Sequence, residues 1–240
     1  MERLKTPVKS ELYPPWKDGK GQRITRFYTG CYVEQRGKYQ TDNDYGLRIY
    51  MFELKYLTPF NWTENVLADF DTFLQDHAAA EKKASGMAMS MLGHYPDRTK
   101  LVKAMADLAI EEMIHFKQVL KLLIERGVTL GHDQKDPYVK AMRALFRQGS
   151  DEFLIDRLLV GAVIEARGHE RFSLVAEALP EGKEKDFYVA IAKSEEKHKN
   201  LFVELGYEYF DKDVIDKRLK EILEAEADIC RHIPFTAALH

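Results

Sequence analysis

Glu112-Met113-Ile114-His115 and Glu195-Glu196-Lys197-His198 both read Glu-x-x-His. Of the eight histidines, only His115 and His198 follow a glutamate by three residues. On a helix, positions i and i+3 share a face, so each pair aims a carboxylate and an imidazole at one point. Two such pairs, joined by one glutamate from each of two further helices, make the ligand set of a carboxylate-bridged di-iron or di-manganese four-helix bundle. Glu81 and Glu165 stand where that set needs them. Glu81 precedes Glu112 by 31 residues and Glu165 precedes Glu195 by 30. Each interval fits a helix that leaves the core, turns tightly and returns to the same height.

The elements that must position these groups are legible as apolar stripes. Steps of four and three run through Phe70, Leu74, His77, Glu81, Ala84, Ala88 and Met91, and through Leu101, Met105, Leu108, Glu112, His115, Val119 and Leu122. They recur in Leu154, Leu158, Gly161, Glu165, Gly168 and Phe172, and in Tyr188, Ile191, Glu195, His198 and Phe202. The pattern predicts four long helices over about 63–93, 97–126, 151–179 and 181–204, closed by Pro96, Gly127, Pro180 and Gly206. A short helix near 137–147 and a last one near 211–230 complete the set. In all four long helices a glutamate interrupts the stripe. Four carboxylates in a core are costly unless their charge is cancelled, and two divalent cations would cancel it.

A single Glu-x-x-His in a charged helix is usually a surface pair. Two, both in phase with apolar stripes and both matched by a glutamate on a partner helix, favour metal. Glu170 lies about 140° around the helix from Glu165 and so points off the stripe. Glu111 and Glu196 are one step off-face, solvated or supporting a ligand. His77, one turn before Glu81, reads either as such a support or as a satisfied core histidine. Ala78, Ala84, Gly86, Ala88, Gly161, Ala162 and Gly168 leave either close helix packing or room for dioxygen and an apolar group. Phe116, Phe172 and Phe202 are candidate walls for that room.

Composition is ordinary for a soluble chain: 240 residues, 45% apolar, 31% charged. No apolar run is long enough to span a bilayer and no signal-like stretch opens the chain, which predicts a cytoplasmic protein and no membrane partner. Cys31 and Cys230 form no C-x-x-C pair and read as free thiols. Net charge is only −3, but residues 1–40 hold nine lysines and arginines against four acids. The expected layout is all-α. A basic, aromatic-rich extension spans 1–60, with short strands conceivable over 23–34; a bundle spans 61–210; a helix and tail spanning 211–240 pack on it.

The segments 76–84, 111–120, 125–127, 160–167, 170–172 and 194–198 together resemble the tRNA 2-methylthio-isopentenyladenosine hydroxylases. In this sequence they read Asp76-His77-Ala78-Ala79-Ala80-Glu81-Lys82-Lys83-Ala84 and Glu111-Glu112-Met113-Ile114-His115-Phe116. The third core segment is Val160-Gly161-Ala162-Val163-Ile164-Glu165-Ala166-Arg167. The resemblance covers about residues 57–205. It implies a ferritin-like non-haem di-iron monooxygenase that hydroxylates the isopentenyl side chain of the modified adenosine beside the tRNA anticodon. By position, Glu81, Glu112, His115, Glu165, Glu195 and His198 match the expected iron ligands. It implies two iron ions and O₂ as co-substrate. Electrons must come from an external reductase or ferredoxin, because the chain shows no Gly-rich dinucleotide loop and no cysteine cluster.

Lys82, Lys83, Arg167 and Arg171 flank the ligand positions and are candidate tRNA contacts; the alternative is a solvated edge or ion pairs with Glu111 and Glu170. The basic arm is either an RNA grip or a tail on the bundle. Monomer and dimer are both open. Two competing readings are a rubrerythrin-like peroxidase or oxidase on a non-RNA substrate, and a metal-storage protein. Two cysteines cannot build the four-thiolate centre of ordinary rubrerythrins, which weighs against the first.

Overall fold

The computed structural model describes residues 52–240; the first 51 residues of the 1–60 extension, with the strands expected over 23–34 and Cys31, lie outside them. Among the described residues every regular element is helical: α1 Trp62–Ala68, α2 Phe70–His94, α3 Thr99–Glu125, α4 Pro137–Arg143, α5 Ser150–Ala178, α6 Lys183–Tyr209 and α7 Lys212–His232.

Helices α2 and α3 pack as one hairpin and α5 and α6 as another, with α3 against α6 closing the bundle. Helix α7 lies on α5 and α4, and α1 rests on α5 and α2. Two apolar clusters fill the ends of the bundle. One gathers Trp62, Phe73, Leu74, Val119, Phe172 and Tyr188. The other gathers Met91, Leu101, Met105, Leu158 and Phe202. Each of these large side chains is buried and contributes roughly 1.5–3 kcal/mol on leaving water. On all four helices the polar stripe positions fall between the two clusters, so the apolar ends clamp a polar middle.

Three helix ends differ from the sequence reading, and the first is α4, which closes at Arg143 rather than near 147. The helix expected over 63–93 is broken at Asp69, whose backbone (φ −142°, ψ 63°) leaves the helical region. Its side chain then accepts from Thr72 N at 3.3 Å and caps α2, while α1 turns aside onto α5. Gly206 does not stop α6, which continues to Tyr209. The absent Cβ there lets Ile215 of α7 approach: a Cβ would stand 3.3 Å from Ile215 Cδ1. Gly127 does end α3. It sits at φ 73°, its N–H reaches Ile124 O and that of Val128 reaches Leu123 O, which satisfies the last carbonyls.

Candidate metal centre

Glu81 comes from the middle of α2, Glu112 and His115 from α3, Glu165 from α5, and Glu195 and His198 from α6. All six are buried. Their ligating atoms form two overlapping groups, each within 4.8 Å: Glu81, Glu112, His115 and Glu195, and Glu112, Glu165, Glu195 and His198. Glu112 and Glu195, the glutamates of the two Glu-x-x-His pairs, belong to both. His115 Nδ1 lies 3.6 Å from Glu81, 3.4 Å from Glu112 and 3.9 Å from Glu195. His198 Nδ1 lies 2.9 Å from Glu112 and 3.8 Å from both Glu165 and Glu195.

These distances converge without forming hydrogen bonds. Glu112 Oε1, His115 Nδ1, Glu195 Oε1 and His198 Nδ1 are buried and have no hydrogen-bond partner; the 2.9 Å approach of His198 to Glu112 is misaligned for one. Buried polar atoms left unpaired cost about 1–3 kcal/mol each, and more when charged. Four of them facing one another in the bundle interior fit a pair of cations. Oxygen and imidazole donors suit iron, manganese or zinc.

The electrostatics agree. Burial raises Glu81 above the usual carboxylate range, against the pull of His115 and His77. Burial, then the facing Glu165 carboxylate, raises Glu195 much further. Burial also opposes the charged form of Glu112, but the imidazoles of His115 and His198 outweigh it and hold this carboxyl well below the usual range. Burial likewise works against charge on His115; Glu112 and Glu81 overcome it and carry the imidazole up to about 9. His198 rises for the same reason, with burial outweighed by Glu112, Glu165 and Glu195.

Supporting groups fix the orientation of two ligands. His77 is fully buried; Nε2 donates to Glu81 Oε1 at 2.6 Å and Nδ1 accepts from the Tyr188 hydroxyl at 3.0 Å. Half-exposed Glu111 accepts from His198 Nε2 at 2.8 Å, which turns Nδ1 inward. Glu170 points away from the cluster, toward Thr58 and Arg167.

The candidate RNA contacts are divided by the structure. Arg167 and Arg171 do not lie on a solvated edge: they are 0% and 3% exposed. Arg167 donates to both oxygens of Glu226, at 2.8 and 3.1 Å, and to Tyr56 O and Thr58, and also pairs with Glu170. Arg171 reaches Thr58 Oγ1 and the Leu239 carbonyl. Both pin the 52–60 segment and the tail, so neither is available to RNA in this conformation. Lys82 and Lys83 are on the surface, tied to Asp133 Oδ1 at 2.7 Å and Gln134 O at 2.9 Å.

A cavity of about 470 Å³ opens onto the cluster. Glu81, Glu112, Glu165 and Glu195 line it, together with Ala80, Ala84, Met87, Ile164 and Phe172. Lys83, Lys135, Lys140 and Arg143 also line it and are exposed. The last three were missed by the sequence reading. Their only signal is the 140/143 spacing, which puts Lys140 and Arg143 on one face of α4. Of the three phenylalanines expected as walls, Phe172 lines the cavity; Phe202 instead packs in the end cluster with Met91 and Leu101, and Phe116 against the one with Trp62 and Phe73.

Fold and cluster together define a helical bundle whose buried carboxylates and histidines are able to hold metal. Residues 48–240 match the family described as tRNA-(MS[2]IO[6]A)-hydroxylase (MiaE), and the chain belongs to that family. It is 37% identical over 172 residues to the tRNA 2-(methylsulfanyl)-N(6)-isopentenyladenosine(37) hydroxylase of Pseudomonas putida, a match covering 72% of this chain and 83% of that protein. It is 32% identical over 154 residues to the protein of the same name from Salmonella typhimurium, covering 64% of this chain and 56% of the relative. Among solved structures it resembles "Protein 43 with aldehyde deformylating oxygenase activity from Synechococcus", with a TM-score of 0.75 and 31% identity over 79% of this chain and 96% of that one.

Proposed function

We propose that this chain is a di-iron tRNA hydroxylase acting on the isopentenyl group of 2-methylthio-isopentenyladenosine beside the anticodon. The observation that carries the reading is the cavity: four carboxylates at one end, apolar walls, and four cations at its surface.

Glu81, Glu112, His115 and Glu195 would hold one iron, and Glu112, Glu165, Glu195 and His198 the other. When bound, the metal pair supplies the reduction of O₂ that an allylic C–H bond requires. In balance, the C–H bond breaks and a C–O bond forms; one oxygen enters the alcohol and the other leaves as water. Two electrons come from an external reductase or ferredoxin and two protons from solvent. Glu111 and His77 orient ligands on opposite sides of the cluster. Ala84, Ile164 and Phe172 exclude water and receive the prenyl chain. Lys83, Lys135, Lys140 and Arg143 bind RNA phosphates and hold the anticodon loop over the opening. No ion pair joins Lys135, Lys140 or Arg143 to a described carboxylate, which leaves their charge for a polyanion.

No described helix is long and apolar enough to cross a membrane, and a tRNA substrate fits a cytoplasmic protein. Nucleoside analysis of tRNA from a strain lacking the gene tests the proposal. Unhydroxylated 2-methylthio-isopentenyladenosine should accumulate and disappear on complementation. An unchanged nucleoside profile refutes it.

A further inference from the structure

Two glycines of α5, Gly161 and Gly168, line the cavity beside Glu165, and their surroundings differ. A Cβ on Gly161 would stand 3.1 Å from the Phe202 ring, which is fully buried in the end cluster with Met91 and Leu101. That glycine is required for packing. A Cβ on Gly168 would meet nothing closer than Glu195 Cγ and Oε2 at 3.7 Å and Phe172 Cε2 at 3.8 Å, ordinary contact distances. Packing therefore does not explain Gly168. Helix propensity argues against it too, since glycine weakens a helix interior relative to alanine and α5 runs 29 residues. What its missing methyl leaves is a methyl-sized gap bounded by two groups that line the cavity, a carboxylate of the cluster and an aromatic wall.

We infer that Gly168 is a specificity-determining residue: its bare backbone sets the depth of the apolar slot beside Glu195 and so decides which N6 substituent reaches the cluster. This rests on the hydroxylase reading above. An isopentenyl group carries two methyls on its terminal carbon, and one must fit where a Gly168 Cβ would project. One methyl gained or lost in an apolar pocket changes discrimination by roughly 10- to 200-fold.

The test compares two synthetic anticodon stem-loops with iron-loaded native protein and Gly168→Ala. One carries 2-methylthio-N6-isopentenyladenosine. The other carries the N6-but-2-enyl analogue, one methyl smaller, as the geometrical isomer that keeps the attacked methyl. The native protein should prefer isopentenyl. Gly168→Ala should lose about ten-fold or more in kcat/KM on isopentenyl and stay within about three-fold on but-2-enyl. Its iron content should be unchanged and its Tm no lower. An unchanged preference overturns the inference. Equal losses on both substrates with lowered iron content also overturn it, by showing that the added methyl acts on Glu195. Failure of the variant to fold overturns it as well, because the geometry leaves the methyl room. Failure of the native protein to hydroxylate either stem-loop would instead remove the functional reading, and this inference with it.

Discussion

His77 Nε2 stands 2.6 Å from Glu81 Oε1, in full burial. The carboxylate can only accept, so the imidazole donates; Nδ1 is then free to accept from Tyr188. This relay holds Glu81 with one oxygen turned toward His115. His77→Ala should lower Fe(II) affinity by about 10- to 100-fold, the usual cost of losing a group that orients a ligand. Competition with a chelator of known affinity measures it. Affinity equal to that of the native protein would show that Glu81 needs no support.

The exposed cations of α4 should act on RNA affinity rather than on metal. Lys140→Ala and Arg143→Ala are each expected to weaken stem-loop binding and to reduce the salt dependence by about one ion. Iron content should not change. Binding curves at several salt concentrations give the slope, and identical slopes in all three proteins would place the RNA elsewhere.

Protonation of the metal-free cluster gives a pH prediction. The folded protein holds His115 up to about 9, with burial outweighed by Glu112 and Glu81, against an ordinary value near ~6.5. The charged imidazole is therefore favoured by folding. Its contribution is complete below about 6.5 and is lost as pH rises through about 9. Glu81 and Glu195, both raised chiefly by burial, act in the same direction. Urea unfolding of metal-free protein should show stability falling between about pH 6.5 and 9. His115→Gln should make that fall shallower without removing it, because His198, also raised, remains and loses stability over the same interval. A rise over the same interval would contradict the assignment.

Cys230 is 3% exposed beside Glu226, to which its thiol donates at 3.1 Å. Burial pushes the thiol up to about 12; Arg167 pulls the other way and the Glu226 carboxylate adds to the rise. At pH 8 almost no thiolate exists, so iodoacetamide should leave Cys230 unmodified in the native protein and label it in urea. Peptide mapping separates it from Cys31. Rapid native labelling would show that the α5–α7 contact opens readily.

Much of the centre was legible because its signals are local. Glu-x-x-His is a one-turn relation, and the stripes that bring Glu81 and Glu165 to the same height are periodic along single helices. What escaped depends on partners far along the chain. Arg167 and Arg171 read as surface cations because Glu226, Thr58 and the Leu239 carbonyl are 59 to 113 residues away. The break at Asp69 hides inside an unbroken helical pattern, since a single residue's backbone turn carries no periodicity. Gly206 reads as a stop and is instead a place where α7 comes close. The cavity rim depends on how α4 is held against α5 and α7, which no spacing announces.

The central claim is that six inward side chains hold two metal ions, and anaerobic titration of metal-free protein with Fe(II) tests it most directly. The native chain should take up close to two ions, releasing protons from the cluster as it does so, while His115→Ala and Glu195→Ala should each bind fewer or bind more weakly. Uptake of no iron, or the same two ions with unchanged affinity in both variants, would contradict the account.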